Sequence, residues 1–237
     1  MREKAPDAFA QPQALWSRRG FWLVALAFAL AWLAFGMPWL TGRVTIPYDA
    51  KAHFQAQFQF LAKSLHEGQS PFWTPNVFGG APQIADPQSL IFSPAFLVAW
   101  LVPDPPFWVL DALVLAHLGV GGFAILMFFK DRGWHPAGAM VAALAFAFGA
   151  GAAWRIQHVG QVFNFAEFGL TLWLLARALD RSSWRYGMLA GASGAMMVAT
   201  PDQVALLGCY VLLGYVLWRW LDGPGRAARF RRDLAPL

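Results

Sequence analysis

IPYDAKAHFQAQFQFLAKSLHEGQSPFWTPNVFGGAPQIADPQSLIFSP occupies residues 46–94, between two long apolar segments. It holds nearly everything polar that is not a flanking arginine, and no run within it is long enough to cross a bilayer. Yet it carries Phe, Trp and Leu at a density unusual for a solvated loop. That mixture suits a structure that lies on a membrane surface and encloses a site.

The surrounding chain says which membrane class this is. Of 237 residues 58% are hydrophobic and 13% charged, with 13 Trp and 21 Phe, and the mean hydropathy is +0.44. A soluble domain carries about 25% charged residues, so half that value marks an integral membrane protein. The net charge of +5 comes from short basic clusters between apolar runs rather than from one basic face. That pattern encodes membrane topology and excludes nucleic acid as a partner. Cys209 is the sole cysteine and lies in an apolar run, so an intramolecular disulfide is excluded and no Cys/His cluster has zinc spacing.

Before the loop, residues 20–40 form an uncharged run of 21 residues after Arg18 and Arg19. That is about 30 Å as a helix, longer than the apolar core of a signal peptide, and no small-residue cleavage motif follows it. It is expected to stay as an anchor. Within the loop, Phe54, Phe58, Leu61 and Leu65 recur at helical spacing over residues 50–66, and the stripe predicts a helix lying in the interface plane. Packing on a small ectodomain is the alternative. Residues 89–102 are apolar but too short to span, and read as re-entrant or interfacial. Further spans are expected at 107–129, 137–153, 162–178, 184–200 and 203–220. Gly187 and Gly191 have the small-xxx-small spacing of closely packed helices.

Charge sets the orientation. With six spans and the N-terminus inside, Arg2, Lys4, Arg18, Arg19, Lys130, Arg132, Arg177, Arg181, Arg185, Arg219, Arg226, Arg229, Arg231 and Arg232 lie on the inner side. Only Arg43, Lys51, Lys63 and Arg155 lie on the outer side, a split of 14 to 4. Both termini are therefore expected to be cytoplasmic, with the loop facing out. The divisions are a segment at 1–19, a membrane module at 20–220 with its outer loop at 41–106, and a basic tail at 221–237.

Three polar segments then converge outside: the loop, residues 154–161, and Pro201-Asp202-Gln203. Asp49, just before the predicted helix, reads either as its N-cap or as a general base at the bilayer surface. Arg155 is either a snorkelling anchor or, with His158, a grip for a phosphate. His53, Asp86 and Gln88 are the further candidate substrate-binding residues. Glu167 lies a few residues into a span, where a carboxylate marks a functional site or pairs with Arg155 or His158.

The segments PYDAKAHFQAQF (47–58) and GQSPFWTPNVFGGAPQIADPQSLIFSP (68–94), with the later block from Gly133 through Arg155 and His158 to Asp180, resemble the YfhO-type bacterial membrane proteins. These are a branch of the GT-C superfamily of lipid-dependent glycosyltransferases. The resemblance covers most of residues 20–220. It implies an all-α integral membrane protein of about six transmembrane helices, with interfacial or re-entrant helices in a long first outer loop. It also implies transfer of a sugar from a polyprenyl-phosphate carrier to an envelope polymer or lipid acceptor, outside the bacterial inner membrane. Asp49 matches the catalytic Asp of that superfamily. Family members are much longer, which implies that these residues are an N-terminal portion. Some GT-C enzymes pair acidic residues around a metal; Asp49 has no acidic neighbour in sequence, so the sequence supports neither a metal nor any other cofactor. The rival class is a non-enzymatic scaffold or lipid-carrier-binding subunit. A transporter half is disfavoured because the polar groups gather at one face instead of at the midplane.

Overall fold

A computed structural model describes residues 16–222, 226–234 and 236; the rest of the expected N-terminal segment and parts of the basic tail lie outside the described residues. The chain opens with α1 (Arg18–Leu40). A π-helical turn (Ala50–Phe54) runs into α2 (Gln55–His66), and β1 (Trp73–Thr74) pairs antiparallel with β2 (Ala81–Pro82). Then follow α3 (Ala95–Leu101), α4 (Phe107–Asp131), α5 (Pro136–Phe148) with the one-turn α6 (Ala150–Ala153), α7 (Val159–Arg181), α8 (Trp184–Ala199), α9 (Gln203–Leu221) and α10 (Arg226–Leu234). Among the described residues five helices are long and apolar enough to cross a membrane: α1, α4, the joined Pro136–Ala153, α7 and α9. This is a multi-pass, all-α membrane protein.

The expected span at 184–200 is shorter than the rest. α8 has 16 residues, about 24 Å of helix, yet it runs antiparallel along most of α7. Thr171 Oγ1 donates to Ser193 Oγ (2.9 Å), and Ser193 donates to Glu167 Oε2 (2.6 Å). One turn further, Asn164 Nδ2 donates to the Thr200 carbonyl (2.7 Å) and Thr200 Oγ1 returns a bond to Asn164 Oδ1 (3.1 Å). Glu167 is therefore satisfied by Ser193 and not by Arg155 or His158. It joins two helices where water is scarce, and an unpaired carboxylate there would be costly.

Helices α4 and α7 form the centre. α4 packs on α1, α5 and α7, and α7 packs on α4, α8 and α9. Their approach depends on absent side chains. A Cβ on Gly121 would sit 2.6 Å from Phe146 Cε1 and 2.9 Å from the Ala166 Cα; one on Gly122 would sit 2.9 Å from the Ala143 carbonyl. Small residues thus do bring helices together, but at different positions from those expected. Gly191 faces open space, and Gly187 lies against the backbone of Pro236.

The apolar stripe of α2 also departs from expectation. Phe54, Phe58 and Leu61 are buried, Phe58 at 0% exposure, against Leu90, Ile91, Ala95, Ala99 and the first turns of α4 and α7. The stripe is spent on a protein core, so residues 41–106 fold as a small domain clamped to one end of the bundle. The outward apolar face belongs to α3 instead, where Leu97, Trp100 and Leu101 are exposed beside Trp108. α3 has 7 residues and does not cross.

The two ends of the bundle differ in kind. At the end opposite the loop, Arg177 grips Asp131 with both Nε (2.6 Å) and Nη2 (3.0 Å), and Asp180 receives both Arg132 and Arg219. Trp16 Nε1 donates to the Trp134 carbonyl at that same end (2.7 Å). The expected inner-side residues Lys130 to Arg132, Arg177, Arg181 and Arg219 thus share one face, and the polar loop groups share the other.

Replacing Gly121 by Ala should overpack the α4–α7 contact and cost about 1–3 kcal/mol. Gly191→Ala, which meets nothing within 4 Å, should be neutral or stabilise by up to about 1 kcal/mol through helix propensity. Thermal unfolding of both variants in one detergent compares them directly. Equal effects would mean that Gly121 does not set the packing distance.

Candidate active site

After α1 the chain turns back at Gly42, and the buried Ile46 amide donates to Asp111 Oδ2 of α4 (3.2 Å). This bond pins the chain over the first turns of α4. Tyr48 then takes the left-handed conformation (φ 57°), and its carbonyl accepts from the amides of Lys51 (3.0 Å) and Ala52 (2.8 Å). Tyr48 therefore opens the helix, and Asp49 already lies inside it with φ −61° and ψ −34°. The Asp49 carboxylate makes no capping bond, which removes the N-cap reading. Its Oδ2 instead lies 3.2 Å from Nδ1 of His158, from the loop before α7; the two side chains are 55% and 35% exposed.

His158 is held by its own turn, its amide donating to the Arg155 carbonyl (2.7 Å) as α7 begins. It forms part of the wall of a pocket of about 210 Å³, together with Phe54, Asp86, Gln88, Gln161, Thr200 and Asp202. All three of the predicted outer segments contribute to this pocket. Asp86 is set by a tight turn, its Oδ1 accepting from the Gln88 amide (2.8 Å), and its Oδ2 accepts from Gln57 Nε2 at 3.5 Å. Asp202 caps α9 by accepting from the Ala205 amide (2.9 Å), and Gln161 Nε2 donates to Gln203 Oε1 (3.3 Å). The pocket is thus polar, walled by carboxylates, amides and one imidazole. An exposed carboxylate beside an imidazole is equipped to accept a proton and to hold it.

Two of the sequence-predicted residues stand apart from this pocket. Arg155 does not pair with His158: its Nη1 turns back to its own chain at the Gly151 carbonyl (3.5 Å). Its side chain lines an apolar groove of about 210 Å³ with Phe165, Phe168, Val204, Leu207, Gly208 and Val211 of α7 and α9. The expected two-residue phosphate grip is therefore not formed. Among the described residues Arg155 is the one charged side chain in that groove's lining. His53 lines a second, larger cavity in the domain of residues 41–106, which also reaches Asp86.

Asp111 escaped the sequence reading, although a carboxylate a few residues into an apolar run is itself a signal. The Asn164–Thr200 pair behind the pocket-lining Thr200 is equally hidden in sequence, because its partners meet only through the antiparallel docking of α7 and α8. Among the described residues no three His, Cys, Asp or Glu side chains gather in a way that could hold a metal ion. Comparisons with protein-family models, with characterised proteins and with solved structures find no match to this chain.

Proposed function

We propose that this chain is a membrane glycosyltransferase of the GT-C kind, moving a sugar from a polyprenyl-phosphate carrier to an envelope acceptor outside the bacterial inner membrane. The observation that carries the reading is the Asp49–His158 pair at the edge of a polar pocket on the loop face. Six spans with both termini cytoplasmic put that face outside, in keeping with the 14-to-4 distribution of Lys and Arg.

In this reading the carrier's phosphate sits on Arg155 and its tail lies along the groove between α7 and α9. The acceptor hydroxyl oxygen attacks the anomeric carbon, and its proton passes to the free oxygen of Asp49. The bond from the anomeric carbon to the phosphate oxygen breaks, and the lipid phosphate leaves with the electron pair. His158 keeps the carboxylate in place and shares the proton once it is taken. Inversion by this route needs one base and a good leaving group, unlike the two-carboxylate scheme of glycoside hydrolysis.

Asp49→Asn should lower transfer by about 10²–10⁴ with little change in stability, since the carboxylate makes no capping bond that the fold would miss. His158→Gln, which keeps a donor toward Asp49, should cost less. Turnover and thermal stability are measured together on the same preparations. Near-normal turnover by the Asn variant removes Asp49 from the mechanism, and a larger loss from His158→Gln moves the base to the imidazole.

Arg155→Ala should weaken binding of a polyprenyl-phosphate sugar about tenfold or more, while Arg43→Ala does not, because a charge-assisted contact contributes about 1.5–3 kcal/mol. Equal losses from the two substitutions would make Arg155 an interfacial anchor only. For orientation, cysteines at Gln69 and Ser182 in a Cys209→Ala background report through an impermeant thiol reagent on intact cells. Position 69 should label and 182 should not; the reverse pattern turns the protein over and takes the outer-face site with it.

A further inference from the structure

The larger cavity on the loop face lies between α2 and the β1–β2 hairpin, encloses about 610 Å³, and has no part in the chemistry above. Its size falls in the range of small-molecule sites, about 300–1,000 Å³. His53, Gln57, Asn76, Phe78, Gln83 and Asp86 belong to its wall. Three features of that wall specify an occupant.

The first is unmet hydrogen bonding. Gln83 is 5% exposed and its Oε1 has no partner; His53 Nε2 is likewise buried and unpartnered. Native proteins satisfy nearly all buried polar groups, so each orphan requires a reason. An amide oxygen only accepts, and what it lacks is a hydroxyl or N–H donor. The second is charge. No Lys or Arg lines the cavity, and its one carboxylate is Asp86. An anionic group would meet that carboxylate with no cation to offset it, whereas a hydroxyl donates to it.

The third is Phe78 at the tip of the hairpin. Its side chain is 98% exposed, and its backbone sits in the left-handed region (φ 54°), followed by Gly79 (φ 75°) and Gly80 (φ 120°). The fold buries nothing by holding a bulky residue in a strained conformation, and such strain gathers at ligand sites. Gly80 lets the chain pass close to the Trp73 ring, where a Cβ would sit 2.5 Å from Cζ2.

An aromatic face beside amide and carboxylate groups, without a cation, matches an uncharged sugar ring. Its C–H face lies on the phenyl group and its hydroxyls satisfy the polar atoms. We propose that this cavity binds a neutral saccharide, with hydroxyls on Gln83, Gln57 and Asp86 and a ring face on Phe78. Asp86 also borders the pocket that holds His158, so the two share a wall and the cavity would seat the acceptor. That last role rests on the transferase reading; the binding itself does not.

The test uses the full chain in nanodiscs and saturation-transfer NMR or calorimetry. The probes are neutral trisaccharides (maltotriose, chitotriose, mannotriose), with inorganic phosphate and glycerol phosphate as charged controls. At least one neutral trisaccharide should bind at millimolar or lower concentration, and the charged probes should not compete. Gln83→Leu and Phe78→Ala should each weaken binding about tenfold or more, and Gln59→Ala, on the exposed side of α2, should not. Phe78→Ala removes a side chain that contacts solvent, so its effect is not confounded by unfolding. Absence of binding by every neutral trisaccharide, or binding indifferent to Phe78→Ala and Gln83→Leu, overturns the proposal, as does competition by the charged probes. Saccharide binding that survives Asp49→Asn supports it. Binding without transfer from any lipid donor would discard the transferase reading and leave the site standing.

Discussion

One buried hydrogen bond anchors the domain of residues 41–106 on the bundle: the Ile46 amide on Asp111 Oδ2, between the end of α1 and the start of α4. A carboxylate inside a membrane helix is costly unless it is matched, and here one backbone donor at the surface end of α4 supplies the match. The bond brings the chain down onto α4 two residues before Tyr48, whose left-handed turn aims Asp49 at the loop that begins α7. Behind that turn, Phe54, Phe58 and Leu61 close over α4, so the position of Asp49 is set by a core rather than by a flexible tether.

The opposite end of the bundle is built on a different rule. There Asp131, Asp180 and Asp233 each meet at least one guanidinium, and Arg132 also stacks on Phe128 with its carbon 4.7 Å from the ring centre. Those groups are consumed in holding α4, α7, α9 and α10 together. On the loop face the carboxylates of Asp49 and Asp86 are met only by an imidazole, an amide and a backbone N–H. Guanidinium–carboxylate pairs are concentrated at one end, and the carboxylates left without a guanidinium at the other. This division accords with a membrane between the two ends, where polar side chains bond to a neighbouring helix, as Ser193 with Glu167, or to their own, as His117 with the Leu113 carbonyl.

What the sequence discloses follows the same line. The spans at 20–40, 107–129 and 203–220 are legible because an uninterrupted apolar run has few alternatives to a membrane helix, and the structure places helices there within a few residues. Convergence of the loop, residues 154–161 and Asp202 is legible because topology alone puts them on one face. Side-chain direction is not. A stripe of Phe54, Phe58 and Leu61 has the same spacing whether it meets lipid or the buried face of residues 90–99, and only the tertiary partner separates the two. Arg155 and His158 are three residues apart, but the turn at 154–158 sends one toward the α7–α9 groove and the other toward Asp49. Gly121 outranks Gly191 because of what lies opposite, which no spacing rule records.

The domain of residues 41–106 also breaks several rules that the bundle keeps. Three of the non-glycine residues with positive φ among the described residues, Tyr48, Phe78 and Leu90, fall within it. So do the orphaned polar atoms of His53, Gln55 and Gln83, and the most exposed large apolar side chain, Phe78. Leu90 has a structural reason, since its turn carries Leu90 and Ile91 into the core and lets Ser93 cap the start of α3. Gln55 spends its amide nitrogen on the Pro105 carbonyl (2.6 Å), closing this domain onto the start of α4. Tyr48 opens the helix at Asp49, but Phe78, His53 and Gln83 return no such structural gain, and Phe78 costs backbone strain that a foldable sequence normally avoids. They line the cavity beneath the hairpin together with Asp86 rather than scattering over the surface. Departures from stability that share one place are what a binding or reacting surface requires, because groups already satisfied by the fold have nothing left to offer a substrate.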